Sequence, residues 1–392
     1  MSTSLWNDEQ ERPIQHLRVV DMTVMVPGPY LTRMLAQYGA DVIKVEVLPK
    51  GDPMRHLEQT AVFDFLNQGK RSVAINLQKD EGVELVQQLA AEADVFVESF
   101  REGVMDGYGL GYAELSEVNP DLLYLSLRGF GGKDSGHAGH DLNFVANSGC
   151  GEWFLEGGHP NYSTQFGDMV AGVFMPCLKL MFHLSNPARR GMHLVSNMDE
   201  SFRALYLPRA YDTVRADTLP ESKRKKFGLS QMLDGSQPHS RYYRCRDAQW
   251  IALNAVQEKH WHTFCEVVDR PNWKPRLNDV KLVPELEKLF LDAPASYWEA
   301  LVGNREACLF RVIPWAEHLA GTSARAQLSA DPLSWAGFAP NPNATGAPIF
   351  GADTFTILHS MGVSNKAISD WMSAGVVFQA DSPSNPAASS SP

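Results

Sequence analysis

The chain has 392 residues, of which 44% are hydrophobic and 21% are charged, and its formal net charge is −11. This length exceeds what one hydrophobic core usually supports, so we expect two or three domains. The acidic balance argues against a general nucleic-acid binder, and no apolar run approaches the roughly 20 residues that span a bilayer. The five cysteines are widely spaced without a C-x-x-C pair, which argues against a disulfide framework and a zinc site.

The first third of the chain alternates strand-like and helix-like segments, which is the pattern of a parallel α/β sheet. LRVVDM predicts a strand, and the helix after it presents one apolar face formed by Leu31, Met34, Leu35 and Tyr38. ADVIKVEV is the next strand. RSVAINL, a helix from Asp80 and DVFVES predict a second unit of this kind, and DLLYLSL ends a third. No G-x-G-x-x-G follows the first strand, so a nicotinamide dinucleotide is disfavoured.

The middle and last thirds of the chain show a different pattern. Gly167 to Leu184 is apolar nearly all round and predicts a buried helix, which Pro176 should kink. Periodicity is then lost until QWIALNA begins a second unit with helices near 257–268 and 284–311. The expected organisation is a large α/β domain at 1–195 completed by 330–378, a small α+β domain at 225–325, linkers at 196–224 and 326–350, and a disordered tail at 379–392.

Two short polar motifs stand out in this organisation. AGHDLNF contains His140, and FGDMVAG contains Asp168 at the start of the predicted buried helix. A carboxylate there either caps the helix or takes part in chemistry, and a lone histidine is either a loop residue or an acid/base group. The nearby histidines have no metal-ligand spacing relative to His140. The residues alone leave these alternatives open.

A series of blocks in fixed order resembles the family III CoA-transferases, and among them most closely the α-methylacyl-CoA racemases. The blocks cover about residues 15–375 and include LRVVDMTVMVPGPY, YGADVIKVE, GDPMR, ADVFVESFREGVMDGYGLGY, NPDLLYLSLRGFG, AGHDLNF and FGDMVAG. The resemblance implies an open parallel-sheet, Rossmann-like large domain with a smaller α+β domain, and an interlocked homodimer. Because the N-terminal segment lacks the features of a signal peptide, we expect a cytoplasmic protein. The lack of a long apolar run and the acidic balance predict no membrane and no nucleic-acid partner.

The resemblance further implies an acyl-CoA thioester as substrate, with no metal or redox cofactor. The basic candidates for its phosphates are Lys44, Lys70, Arg71 and Arg101. Adenine and pantetheine contacts fall at positions that match Val47, Ile75, Asn76, Leu77, Gln78, Gly139, Asp141, Leu142, Asn143 and Phe144. Val47 replaces a usual arginine and Gln78 a common lysine, so Lys50 or Lys79 would have to supply the missing charge.

In the racemase branch, the residues that match His140 and Asp168 are an acid/base pair on opposite faces of the substrate's α-carbon. In the transferase branch, the same aspartate is a nucleophile. His140 favours the racemase, so the leading interpretation is an acyl-CoA racemase or epimerase acting on a 2-methylacyl-CoA. The alternatives are a CoA-transferase and a non-catalytic relative that binds CoA esters, the latter suggested by Val47, Gln78 and Gln257, which stands where racemases have a glutamate.

Overall fold

The computed structural model describes residues 14–57, 60–150, 165–186, 188, 191–207, 211, 218, 235–314, 316–317 and 346–380. Contacts divide the chain into two compact units. The first comprises Met1–Val145, Gln165–Phe202 and Ala330–Pro392, and the second comprises Ala146–Thr164 and Arg203–Ser329. Of the segments expected to be linkers or tail, 208–210, 212–217, 219–224, 326–345 and 381–392 lie outside the described residues.

The strands form one sheet in each unit. They are β1 (Arg18–Met22), β2 (Asp41–Val47), β3 (Arg71–Ile75), β4 (Val95–Glu98), β5 (Leu123–Arg128), β6 (Met192–Asn197), β7 (Ser240–Arg244), β8 (Trp250–Asn254), β9 (Leu309–Arg311) and β10 (Val377–Phe378). The first unit has a seven-stranded sheet in the order β10-β3-β2-β1-β4-β5-β6, and the second has β7-β8-β9. All neighbours from β3 to β6 are parallel, and only β10 is antiparallel in the large sheet.

The helices alternate with the strands of the large sheet and cluster around the small one. They are α1 (Pro27–Gln37), α2 (Thr60–Leu66), α3 (Asp80–Ala91), α4 (Val104–Gly107), α5 (Tyr112–Val118), α6 (Asp141–Asn147), a π-helical segment (Gly167–Phe174) that continues into α7 (Met175–Leu184), α8 (Met198–Leu205), α9 (Glu258–Val267), α10 (Val283–Leu291), α11 (Ala295–Val302), α12 (Thr354–Ser360) and α13 (Asn365–Ser373).

The predicted fold class is confirmed for both units. The inner strands of the large sheet are largely buried, and their apolar side chains form separate clusters on its two faces, because helices cover both faces. The predicted apolar face of α1 is buried along its whole length. The second unit is α+β, since its antiparallel sheet turns Tyr243, Ile251 and Leu309 toward Trp261 and Phe290 of its helices.

The C-terminal segment completes the large sheet in a way that corrects the expected start of the tail. Residues 379 and 380 were expected to be disordered, but Gln379 is fixed by hydrogen bonds on both sides of its amide. Its Oε1 accepts from the backbone N–H of Phe355 at 2.7 Å, and its Nε2 donates to the carbonyl of Ala352 at 2.8 Å. These bonds hold the end of β10 against the start of α12.

The expected linker at 196–224 is also wrong at its beginning. Residues 192–205 form β6 and α8, and Ser196 and Phe202 are buried. β6 lies at the edge of the sheet, where Met192 and Val195 are exposed, so its sequence lacks the continuous apolar run of the inner strands. This mixture of exposed and buried residues explains why the strand was not predicted.

The apolar stretch at 167–184 is helical as predicted, but only its first half is well buried. Met181 and Phe182 are 58% and 69% exposed, which contradicts the expectation of a helix buried all round. Just before Pro176 the backbone hydrogen bonding is π-helical: the N–H of Met175 donates to the carbonyl of Val170, five residues earlier. In the described part of the chain, Gly167–Leu184 is also the one helix long and apolar enough to cross a membrane, at mean hydropathy 1.2.

A group of buried ion pairs links the first strands of the large sheet. Lys70 Nζ lies 2.9 Å from Asp21 Oδ2, and Lys44 Nζ lies 3.0 Å from Asp52 Oδ2, with all four side chains at most 1% exposed. Lys44 also donates to the carbonyl of Thr23, and the N–H of Met25 donates to Asp52 Oδ1. These pairs therefore fix the backbone of the loop that follows β1.

We expect Gly82→Ala to destabilise the first unit by about 1 to 3 kcal/mol, the usual cost of overpacking. A Cβ on Gly82 would lie 2.1 Å from the backbone oxygen of Asn76, so α3 or the end of β3 must move. Gly107→Ala is the matched control, because a Cβ there meets nothing within 4 Å. Urea unfolding should separate the two variants, and equal midpoints would contradict this packing.

Candidate functional site

A cavity of about 540 Å³ opens in the first unit at the carboxyl ends of the parallel strands. Its walls include residues 24–28 after β1, residues 99–101 after β4 and residues 127–129 at the end of β5. The chain builds the sheet from β1 through β2 to β3, then returns to place β4 on the other side of β1. A cavity beside β1 and β4 thus lies where the strand order reverses, the usual place for a ligand in an open α/β sheet.

His140 lies on the wall of this cavity at the beginning of α6. Its carbonyl accepts the N–H of Asn143 at 2.7 Å, and its own N–H donates to Asn143 Oδ1 at 3.0 Å. These reciprocal bonds fix the backbone while the imidazole stays exposed. The preceding Gly139 allows close packing, since a Cβ there would lie 2.7 Å from the ring of Phe130. The motif therefore holds the histidine on a rigid support.

Asp168 lies on the same cavity, in the first turn of the π-helical segment. Its residue surface is only 8% exposed. Burial, and then the charge of Asp141, raise the pKa of Asp168 to about 7. A carboxyl group with a pKa near the working pH can both donate and accept a proton. Short π-helical segments are frequent at functional sites, which agrees with this position.

Several further polar groups share the cavity. Arg101 and His137 are exposed on its wall, and Arg128 lies at the end of β5. Arg128 Nη1 lies 2.9 Å from Oε1 of the buried Glu98 and donates to the carbonyl of Phe100. Arg128 belongs to neither of the two polar motifs. Its signal was a charged residue directly after the buried run LYLSL, at the strand end where ligands bind.

The structure brings six of the expected site residues together around the cavity. They are His140, Asp168, Arg101, Gly139, Asp141 and Phe144. The remaining expected contacts, Val47, Ile75, Asn76, Leu77, Gln78, Leu142 and Asn143, are not among the residues that line it. Ile75 and Leu77 are buried, while the Gln78 amide donates to the hydroxyl of Tyr108 at 3.2 Å. Any contact of these residues with a CoA would lie outside the cavity.

Three of the basic residues proposed for the phosphates lie in other places. Lys44 and Lys70 are in the buried ion pairs described above, where Lys70 also donates to the carbonyl of Pro29 and to Asn67 Oδ1. Arg71 begins β3, at the amino edge of the sheet, and its Nη2 lies 2.6 Å from Asp41 Oδ2. The charges of these three residues are engaged in ion pairs away from the cavity, and a role of theirs in phosphate binding stays a prediction.

Gln257 lies in the second unit, where it precedes α9 and is exposed. Its own side chain forms no cap on that helix.

Across the described ranges, no group of three or more histidine, cysteine, aspartate or glutamate residues could hold a metal ion.

The chain as a whole is similar to proteins of one known family. The model of CoA-transferase family III matches residues 14–350. The chain is 29% identical to the α-methylacyl-CoA racemase of Mus musculus over 78% of its length and 79% of the relative. It is also 29% identical to a succinyl-CoA:mesaconate CoA-transferase of Haloarcula hispanica, over 66% and 68%. Rv3272 of Mycobacterium tuberculosis has a similar fold, with a TM-score of 0.71, 24% identity and coverage of 88% and 99%.

Proposed function

This chain belongs to CoA-transferase family III, and on that premise we propose that it is an acyl-CoA racemase or epimerase. It inverts the α-carbon of a 2-methylacyl-CoA thioester by 1,1-proton transfer, with His140 and Asp168 as the acid/base groups. The observation that carries this proposal is that Asp168, with its pKa raised to about 7, shares a cavity with the exposed imidazole of His140. A carboxyl group tuned in this way suits reversible proton transfer.

The proposed reaction begins with a thioester whose carbonyl acidifies the hydrogen on C2. One of the two groups removes this proton, and the other returns a proton to the opposite face of C2, so the configuration inverts. Between the two steps the negative charge rests on the thioester oxygen. Arg101 gives the cavity positive charge that favours this enolate, while Arg128 is paired with Glu98.

The backbone N–H groups at the start of the helix that carries Asp168 could in principle stabilise the enolate, but two of them are already hydrogen-bonded within the protein. The backbone N–H of Asp168 donates to Asp141 Oδ1, and that of Met169 donates to the carbonyl of Gln165 at 2.9 Å. These two amides are therefore engaged before any substrate binds. We assign the stabilisation of the enolate to other donors of the cavity, with Arg101 the exposed cation among them.

A CoA-transferase with Asp168 as the nucleophile is the second candidate. It is favoured by relatives named as CoA-transferases, which are as similar to the chain as the racemases are. A nucleophilic carboxylate must be ionised, whereas a pKa of about 7 leaves about half of Asp168 protonated at neutral pH.

The cytoplasmic location and the interlocked homodimer stay predictions.

We expect the protein to incorporate deuterium at C2 of a 2-methylacyl-CoA in D₂O, without any acceptor acid. Mass spectrometry and chiral analysis of the recovered acid would measure label and inversion together. Absence of label, combined with transfer of CoA to a free carboxylic acid and a hydroxamate formed at Asp168 by hydroxylamine, would establish the transferase instead. Binding of the thioester with neither reaction would identify a non-catalytic relative.

A further inference from the structure

The two polar motifs are joined by a direct hydrogen bond from the backbone of the second motif to a side chain of the first. Asp141, the first residue of α6, accepts the backbone N–H of Asp168 with its Oδ1 at 2.9 Å. Asp141 is 9% exposed and Asp168 is 8% exposed, so this contact is shielded from solvent. The carboxylate of the first motif thus holds the start of the helix that carries the second motif's acid.

Gly167 makes this contact possible by bringing the two segments close together. A Cβ at position 167 would lie 2.9 Å from Asp141 Oδ1, 3.1 Å from a methyl group of Val145 and 3.3 Å from the carbonyl of Asp141. Real side chains almost never tolerate the first of these distances. A glycine before Asp168 therefore serves the approach of α6 to the π-helical segment.

We propose that Asp141 is a positioning residue, whose carboxylate fixes the start of the Asp168 helix and whose negative charge keeps Asp168 available as a proton donor. This inference rests on the proposed proton-transfer function. It adds a role for a residue that the sequence analysis placed only among the CoA contacts. Asp141 acts through Asp168 and does not itself exchange a proton with C2.

The electrostatic part of the proposal follows from the charges around the cavity. A like charge nearby disfavours ionisation of a buried carboxyl, and Asp141 is the acidic neighbour whose charge acts on Asp168. The other charged or titratable side chains on the described cavity wall are Arg101, Arg128, His137 and His140. Arg128 is paired with Glu98. The part of α1 on the wall, Pro27 and Gly28, has no titratable side chain.

The test uses Asp141→Asn, which keeps an oxygen acceptor for the Asp168 N–H but removes the charge. Titration of the substrate-free protein by ¹³C NMR of labelled aspartate, assigned by the loss of one signal in Asp168→Asn, measures Asp168 directly. We expect its midpoint to fall by about one pH unit in Asp141→Asn. The matched control, Asp121→Asn, removes the same charge from an exposed residue before β5, at the amino edge of the sheet, and should leave the midpoint unchanged.

In the direction of inversion in which Asp168 donates the proton, the alkaline limb of the rate should move to lower pH by the same amount, a change that a purely structural role would not produce. Asp141→Ala, which also loses the acceptor, should reduce the maximal rate as well, by about tenfold or more. If Asp141→Asn does not fold, Asp141→Ser is titrated instead, because its hydroxyl oxygen can still accept a hydrogen bond from the Asp168 N–H. An unchanged Asp168 midpoint in either variant would overturn the proposal. Since the titration needs no turnover, its result is separate from failure of the proposed racemase activity.

Discussion

Asp168→Asn is expected to reduce α-proton exchange by about 10²- to 10⁴-fold and, at about pH 8, to stabilise the folded protein. The activity falls because an amide cannot carry the proton. The stability rises because the wild type must keep a carboxylate with little access to water beside the charge of Asp141. The same substitution therefore moves activity and stability in opposite directions, as is common at sites built for function.

The pH dependence of this gain follows from the direction of the pKa change. The pKa of Asp168 is raised from 3.8 to about 7 in the folded state, so the folded protein binds more protons between these values. Stability of the wild type is thus lost as pH rises from about 4 to about 7, by up to about 4 kcal/mol at 1.36 kcal/mol per pH unit. We expect the asparagine variant to gain about 2 to 4 kcal/mol at pH 8 and almost nothing at pH 4.

Urea unfolding at the two pH values measures this difference, and His140→Gln is the matched control. His140 is exposed, so its replacement should reduce exchange without a comparable gain in stability. A gain in Asp168→Asn that is the same at pH 4 and pH 8 would show that the carboxylate is not the cause. A loss of stability at pH 8 would contradict the burial of Asp168.

Lys70→Met is expected to destabilise the protein by about 3 to 5 kcal/mol, because it removes one partner of a buried ion pair. Lys70 Nζ donates to Asp21 Oδ2, to the carbonyl of Pro29 and to Asn67 Oδ1, all at 2.8 to 2.9 Å. Burial alone would raise the pKa of Asp21, but the charges of Lys70 and Lys44 and two hydroxyl donors lower it to about 2. Without Lys70, the buried negative charge of Asp21 would keep only the positive charge of Lys44 and its two hydroxyl donors nearby.

The next residue in the chain provides a matched control for this prediction. Arg71 and Asp41 are paired at 2.6 Å, but their side chains are 35% and 47% exposed. Exposed pairs contribute little, so Arg71→Met should cost less than about 1 kcal/mol. Urea unfolding of both variants at neutral pH checks the contrast. Similar losses for the two neighbouring residues would show that burial of the Lys70–Asp21 pair does not determine its energetic role.

The sequence predicted those parts of the fold in which apolar periodicity and burial agree. The apolar face of α1, the helix α3 and the strands β1 to β5 follow from this pattern, because each lies on or inside a large apolar core. β6 was missed because an edge strand exposes part of its apolar surface. The exposed end of α7 was missed because composition alone cannot tell which side of an apolar helix meets the rest of the chain.

For the site, the sequence identified His140 and Asp168 through their motifs, but it could not identify which lysines face a ligand. Lys44 and Lys70 look like exposed cations in sequence, yet their carboxylate partners lie on other segments that only the sheet brings near. Asp21 and Lys70 are 49 positions apart. The bond from Asp141 to Asp168, across 27 positions, depends in the same way on tertiary packing.

The antiparallel pairing of β10 with β3 has a consequence for how the molecule is made. Val377 pairs with Ile75, a separation of 302 positions (377 − 75). At roughly 5 to 20 residues per second, a ribosome needs about 15 to 60 s to synthesise the chain between them. During that interval the outer edge of β3 is without its neighbour, and an unpaired strand edge invites association with other chains. Nascent copies should therefore depend on chaperones until residue 377 has emerged.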